Sequence, residues 1–109
     1  LVEKERIDDV LEGEEEIIRA KLPEGNQVIG IIEARLGYGR FSVVCSDKRI
    51  RVCRVPGRLR RKLWLREGDY VIVEPWEIEG EKKGDIIYKY RKAEVAWLER
   101  EGYLKDLSL

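Results

Sequence analysis

Nine basic side chains and no acidic one lie between Lys48 and Arg66: Lys48, Arg49, Arg51, Arg54, Arg58, Arg60, Arg61, Lys62 and Arg66. The chain as a whole is neutral, with 22 basic and 22 acidic residues, so charge is segregated along it rather than added. A segment this dense in one sign repels itself and sits best opposite a polyanion. Arginine dominates it, and the planar guanidinium both grips phosphates in pairs and stacks on bases. Trp64 closes the run, where it is either a stacking platform or a core anchor beside Leu63. Basic runs are often solvated faces. Here the arginine content and the absence of acid point to RNA or DNA as the partner.

Other chemistries find little support. The chain has no His, which removes the commonest general base and the commonest metal ligand. Cys45 and Cys53 are too few and too far apart for a zinc site, and no His can complete one. There is no phosphate-loop glycine pattern and no Ser-centred elbow. The carboxylates are spread along a chain that is 40% charged, so they define no catalytic pair. No enzyme, metal or cofactor is implied. No apolar run approaches the length of a membrane span and no signal peptide is visible. The cysteines read as reduced packing residues of a cytoplasmic protein.

The elements that must position the basic run begin after an acidic leader. The first sixteen residues hold eight acids against Lys4 and Arg6, and residues 1–22 read as a mobile or frayed extension. Pro23-Glu24-Gly25-Asn26 marks a turn into the folded body. Val28 to Ile32 is a β-branched run whose single Gly suits a strongly bent strand or a bulge. Gly37-Tyr38-Gly39 is a reversal, and Phe41 to Cys45 is a second strand. Ser46-Asp47-Lys48 is a tight turn into a third strand, Ile50 to Arg54. There Ile50 and Val52 point one way, and Arg49, Arg51 and Cys53 the other.

Pro56-Gly57 ends that strand. Arg58 to Trp64 can make one or two helical turns, with Leu59 and Leu63 spaced to pack on the core and Arg58, Arg60, Arg61 and Lys62 fanning outward. Tyr70 to Pro75 is a fourth strand and Asp85 to Tyr90 a fifth. In the last strand Tyr88 and Tyr90 share one face by parity, which either lines the barrel interior or covers its outside. Ala93 to Arg100 is a short helix stopped by Gly102.

Five short strands with a small helical insert between the third and fourth is the element order of an OB-fold, an all-β, five-stranded barrel. The expected organisation is an acidic extension over residues 1–22, the barrel over 23–91, and a short C-terminal helix with a tail over 92–109. OB-folds bind single-stranded nucleic acid on strands 2 and 3 and the flanking loops. Arg49, Arg51, Arg54 and residues 58–62 fall on that strand and the loop after it.

Several blocks carry a family resemblance in order and at compatible spacing. Gly30-Ile31-Ile32-Glu33 and Leu36-Gly37 precede Arg51 to Trp64. Arg66-Glu67-Gly68-Asp69-Tyr70-Val71-Ile72-Val73, Pro75-Trp76-Glu77 and Gly84 to Tyr90 follow. Together they resemble the translation initiation factor 1A family, and Val95-Ala96-Trp97-Leu98 through Gly102-Tyr103-Leu104 looks like its archaeal branch. The resemblance spans about residues 25–105. It implies a monomeric, non-enzymatic OB-fold protein that binds small-ribosomal-subunit RNA at the aminoacyl-tRNA site. There it would help initiator tRNA and mRNA assemble. The family role of the basic loop carries over to Arg58, Arg60, Arg61 and Lys62, flanked by Arg54 and Arg66. With Arg49 and Arg51 on the third strand and Trp64 as a stacking residue, these are the expected RNA contacts. The resemblance also implies a contact between the C-terminal tail and the translational GTPase that joins the subunits. Tyr103, Leu104, Leu107 and Leu109 would supply it, unless the tail folds back on the barrel.

The chain departs from the family pattern in three places. The leader is acidic where relatives often carry a basic one, the long acidic tail of the eukaryotic branch is absent, and Lys48 stands where a hairpin Gly is common. The competing reading is a general single-stranded RNA-binding module or RNA chaperone. Finally, a two-residue Asp47-Lys48 turn would set Cys45 opposite Ile50 and put the two sulfurs on different faces of the hairpin.

Overall fold

Strand formation follows the β-branched texture from Val28 onward. The computed structural model of the chain describes residues 19–108. Its strands are β1 (Val28–Gly37), β2 (Arg40–Cys45), β3 (Ile50–Arg54), β4 (Tyr70–Pro75) and β5 (Lys83–Lys89), followed by one helix, α1 (Lys92–Arg100). They close into a barrel in the order β1-β2-β3-β5-β4. All neighbours are antiparallel except β3 and β5. A 3-10 turn at Gly57–Leu59 occupies the connection between β3 and β4. This is the five-stranded OB-fold barrel expected from the element order.

β1 belongs to both halves of the barrel, pairing with β2 on one edge and β4 on the other. Gly30 sits where both pairings overlap, opposite Cys45 and Val71. A Cβ there would lie 2.5 Å from Val43 Cγ1, so only Gly lets the strand bend this close to the wall behind it.

The apolar residues divide into two layers. Ile32, Val43, Cys45, Cys53, Val71, Val73 and Ile86 fill the barrel, closed at one end by Val55 and Leu65. Ile29, Ile31, Ile72 and Tyr90 form a second layer with Leu98 of α1, Leu104, Leu107 and Ala20. That explains the continuous apolar runs in β1 and β4, which are covered on both faces. In β5 the register shifts at Ile87, between the pairs Val73↔Ile86 and Ile72↔Tyr88. The bulge moves the strand's contribution from inside to outside. Ile86 therefore fills the barrel while Tyr88 and Tyr90 meet edge to face at 5.2 Å under α1.

The β2–β3 hairpin differs from the expected register. Val44 pairs with Ile50, and Cys45 N–H donates to Arg49 O at 2.8 Å, so the loop has three residues, not two. Lys48 takes the left-handed conformation that closes such a loop (φ 70°). This one-residue shift puts both cysteines on the same, inner face. They are nevertheless free. Cys53 pairs with Phe41, four residues from Cys45. At about 3.3 Å per residue the two lie roughly 13 Å apart along the sheet, beyond disulfide reach. Burial pushes both thiols up, Cys53 to about 12, so neither is a thiolate near neutrality.

α1 is capped at its start by Glu94, whose Oε1 accepts from Arg91 N–H at 2.9 Å. It ends at Gly102 (φ 86°), where Tyr103 N–H donates to Leu98 O and Gly102 N–H to Glu99 O, the paired bonds of a Schellman cap. The chain then folds back. Leu104 and Leu107 are buried, and Tyr103 stacks on Trp97 at 5.8 Å. Of the two readings of the tail, the one in which it folds back on the barrel holds for these residues; Leu109 lies outside the described residues, as does most of the acidic leader.

Glu94 also joins the two ends of the domain. Its carboxylate is 2% exposed, and Oε2 accepts from Tyr88 Oη at 2.7 Å and from Lys21 N–H at 3.4 Å. Burial alone would raise its pKa, but the bonds from Arg91, Tyr88 and Lys21 outweigh burial and hold it below the usual carboxylate range. A depressed folded pKa means stability that is fully present above the unfolded value of about 4.3 and is lost as pH falls through the folded value. Glu94→Gln is therefore expected to destabilise the protein at pH 7 by about 1–2 kcal/mol. Urea melts at pH 7 and at pH 3 should show this gap narrowing in acid. An equal gap at both would mean the charge contributes nothing.

Candidate nucleic-acid interface

The basic segment is held by its apolar residues. Leu59 and Leu63 pack against the barrel core, and Leu65 is buried in it. Backbone bonds run from Leu59 N–H to Pro56 O, Lys62 N–H to Leu59 O, and Leu63 N–H to Leu59 O, at 2.9, 2.9 and 3.2 Å. Two leucines four apart thus pin a short helical coil, and the residues between them must face outward. Arg58, Arg60, Arg61, Lys62 and Arg66 are all exposed. None of them forms a salt bridge with another described residue.

Trp64 is 83% exposed, so its indole lies at the surface and is not a core anchor. Its backbone is fixed instead: Lys89 Nζ donates to Trp64 O at 2.7 Å and lies 3.4 Å from Asp69. Asp69 in turn accepts from Arg66 N–H at 2.8 Å. An aromatic ring on a tethered backbone beside five basic side chains suits stacking on an unpaired base.

Around this segment the surface contains groups that the sequence pattern does not place in the site. Tyr38 is 98% exposed at the tip of the β1–β2 turn, where Tyr38 and Gly39 both have positive φ. Gly39 and Phe41 face Arg60, Leu63 and Leu65 across a depression of about 220 Å³. On the other side, Lys89, Arg91 and Lys92 line a second depression of about 420 Å³ with Asp69. The only sequence signal for Tyr38 is its position between two glycines. For Lys89, Arg91 and Lys92 there is none, because they are dispersed among strand and helix residues.

The third strand separates three arginines that the sequence groups together. Arg49 is exposed beside Asp47, and Arg54 is exposed on the outer face. Arg51 is not a surface residue. It shares the inner face with Cys53 and is 4% exposed. Its Nη1 and Nη2 donate to the two oxygens of Asp47 at 3.0 and 2.8 Å, and its Nε donates to Gly80 O at 2.6 Å. Each guanidinium nitrogen thus donates one bond, and Arg51 holds the Asp47 carboxyl below its usual range while Asp47 pushes the Arg51 pKa further up. We therefore take Arg51 out of the RNA face and assign it to joining the β2–β3 and β4–β5 loops.

Removing Asp47 leaves a buried guanidinium without its counter-charge, which typically costs about 3–5 kcal/mol. Asp47 is partly exposed, and Gly80 O remains, so the lower end is expected. Asp47→Ala should lower urea stability by about 3 kcal/mol. Asp47→Ala combined with Arg51→Met should recover much of that loss. No recovery in the double variant would show that Asp47 acts through the turn alone.

The chain is similar to known proteins over most of its length. Residues 14–108 match the family model described as translation initiation factor 1A / IF-1. A Pyrococcus abyssi protein named translation initiation factor 1A is 52% identical over 88 residues, covering 81% of this chain and 78% of that one. A Thermococcus kodakarensis protein of the same name is 45% identical over 101 residues, covering 91% and 86%. A solution structure of translation initiation factor IF-1 from a Wolbachia endosymbiont of Brugia malayi aligns with a TM-score of 0.49 at 30% identity, over 61% of this chain and 78% of that one.

Proposed function

This chain belongs to the translation initiation factor 1A / IF-1 family, a family of non-enzymatic translation factors, and we propose that it binds the small ribosomal subunit at the aminoacyl-tRNA site and promotes assembly of initiator tRNA and mRNA. The observation that carries this reading is the leucine-anchored segment of residues 58–66. It presents Arg58, Arg60, Arg61, Lys62, Trp64 and Arg66 to solvent together. Rigid placement matters, because a backbone already anchored loses less freedom when RNA binds. A decoding-site helix offers closely spaced phosphates and bases that can be unstacked, which fits a cationic ridge carrying one exposed indole.

The C-terminal helix and tail present Tyr103, Lys105 and Asp106, not a loose apolar arm, to any partner on that side. A translational GTPase at this end would therefore meet a preformed surface.

Binding is expected to be strongly salt-dependent. If about five phosphates are neutralised, the slope of log affinity on log salt is about −3.5, and a fourfold rise in salt costs on the order of a hundredfold. Sedimentation of the protein with isolated small subunits tests the reading directly. One-to-one co-sedimentation that decays with salt in this way supports it. Preference for free single-stranded RNA over the subunit would favour a general RNA-binding module, and salt-independent binding would remove the basic segment as the contact surface.

A further inference from the structure

Apart from the ridge of residues 58–66, the outer face of the barrel carries a second group of cations, built around Arg54 and an aromatic ring. Arg40 and Arg54 are direct cross-strand partners in the β2–β3 pair, and both are exposed. Direct partners in an antiparallel pair point to the same face. Like charges in that arrangement destabilise a sheet unless something neutralises them. Neither arginine forms a salt bridge with another described residue.

The Arg54 guanidinium carbon lies 4.8 Å from the centroid of the Trp76 ring, and Lys83 Nζ lies 5.5 Å from it. Trp76 cannot swing away freely. Its Nε1 donates to Asp85 Oδ1 at 2.9 Å and its backbone N–H donates to Lys83 O at 3.1 Å. Asp85 is also the neighbour of Arg54 in the parallel β3–β5 pairing. Trp76 is thus tied to β5 by its indole and by its backbone, and a guanidinium lies over the ring.

The surroundings give the group a direction. Trp76 also borders a depression of about 570 Å³ whose lining includes Asp47, Glu77, Glu79 and Glu81. That acidic side repels a phosphate, while the Arg40 side attracts one. We propose that Arg54, supported by Trp76, is a stacking site for one unpaired RNA base, with the adjoining phosphate held by Arg40. The base completes an indole–guanidinium–base sandwich, a use of arginine that lysine cannot copy. The phosphate relieves the repulsion between the two arginines. The site rests on the RNA-binding reading above and adds to it a contact separate from residues 58–66.

The test uses the full chain and a fluorescently labelled oligoadenylate, read by anisotropy over a range of salt. Arg54→Lys keeps the charge and is expected to weaken binding at least fivefold while leaving the salt slope unchanged. Trp76→Leu is expected to weaken it to a similar degree. Combining Arg54→Lys with Trp76→Leu should add little, because both remove one stack. Arg40→Gln should instead make the salt slope shallower by about 0.7. Since Trp76→Leu can disturb the β4–β5 loop, Trp76→Phe provides a second variant that keeps a ring, and its affinity should stay near wild type. Wild-type affinity in Arg54→Lys, or full additivity with Trp76→Leu, overturns the proposal. Sedimentation with small subunits separates the two levels. If Arg54→Lys binds oligoadenylate normally while the protein still co-sediments, only the stacking site fails. If the wild-type protein does not co-sediment, the ribosomal reading fails, and the oligonucleotide result still decides the stacking site.

Discussion

Replacing Arg60 and Arg61 together by Ala is expected to weaken binding to the small ribosomal subunit at least tenfold and to leave the melting temperature near wild type. Both residues are exposed on the segment that Leu59 and Leu63 pin to the barrel, and neither forms a salt bridge with another described residue. Their removal therefore costs the fold little, since exposed charges contribute under about 1 kcal/mol even when paired. A charge-assisted hydrogen bond to RNA is worth roughly 1.5–3 kcal/mol, so losing one from each arginine exceeds the tenfold threshold of about 1.4 kcal/mol. Replacing both by Lys keeps the charge but loses the planar fork, and a partial defect should result. Lys105→Ala, a basic side chain exposed on the tail, serves as a control and should bind normally. Quantitative co-sedimentation alongside thermal melts checks all three. Normal binding by the double Ala variant would remove these arginines from the interface, and unfolding would make them structural.

Replacing Leu104 and Leu107 by Ala, or removing residues 104–109, is expected to destabilise the protein severely. The two leucines are 8% and 7% exposed and belong to the layer formed by Ile29, Ile31, Ile72, Tyr90 and Leu98. A buried Leu→Ala change typically costs about 2–5 kcal/mol, through lost transfer energy and the cavity left behind. Two such changes remove on the order of 4 kcal/mol or more, a large part of the roughly 5–15 kcal/mol that holds a domain together. Leu98 of α1 loses its neighbours at the same time, so truncation should expose the outer face of β1 and β4. Urea denaturation of the double variant, with Lys105→Ala as the exposed comparison, measures the effect. A midpoint unchanged from wild type would mean that the tail is only loosely placed and remains available to a partner.

Much of the site is legible in the chain. Leu59 and Leu63, spaced a helical turn apart between Pro56-Gly57 and Gly68, require their basic neighbours to project, and they do. The element order alone points to an OB-fold, because β-branched runs, turn residues and one Gly-bearing bent strand leave few other five-stranded arrangements. Alternation in β3 also correctly groups Arg51 with Cys53.

Which of those groups faces inward is a tertiary matter. Periodicity fixes which residues share a face but not which face is buried. In β3 the choice depends on β2 and β5, whose Val43, Cys45 and Ile86 line the interior. Arg51 can follow Cys53 inside only because Asp47 and Gly80, from two different loops, meet its guanidinium there. The hairpin register depends on Lys48 accepting a left-handed backbone, which its side chain does not announce. Likewise Tyr103 to Leu107 read as a tail because the layer that buries it is assembled from β1, β4, β5 and α1. Local residue pattern is enough to set the strands, their order along the chain and the basic ridge with its anchors. Long-range burial, which depends on surfaces brought together only when the barrel closes, sets which charges remain free for RNA.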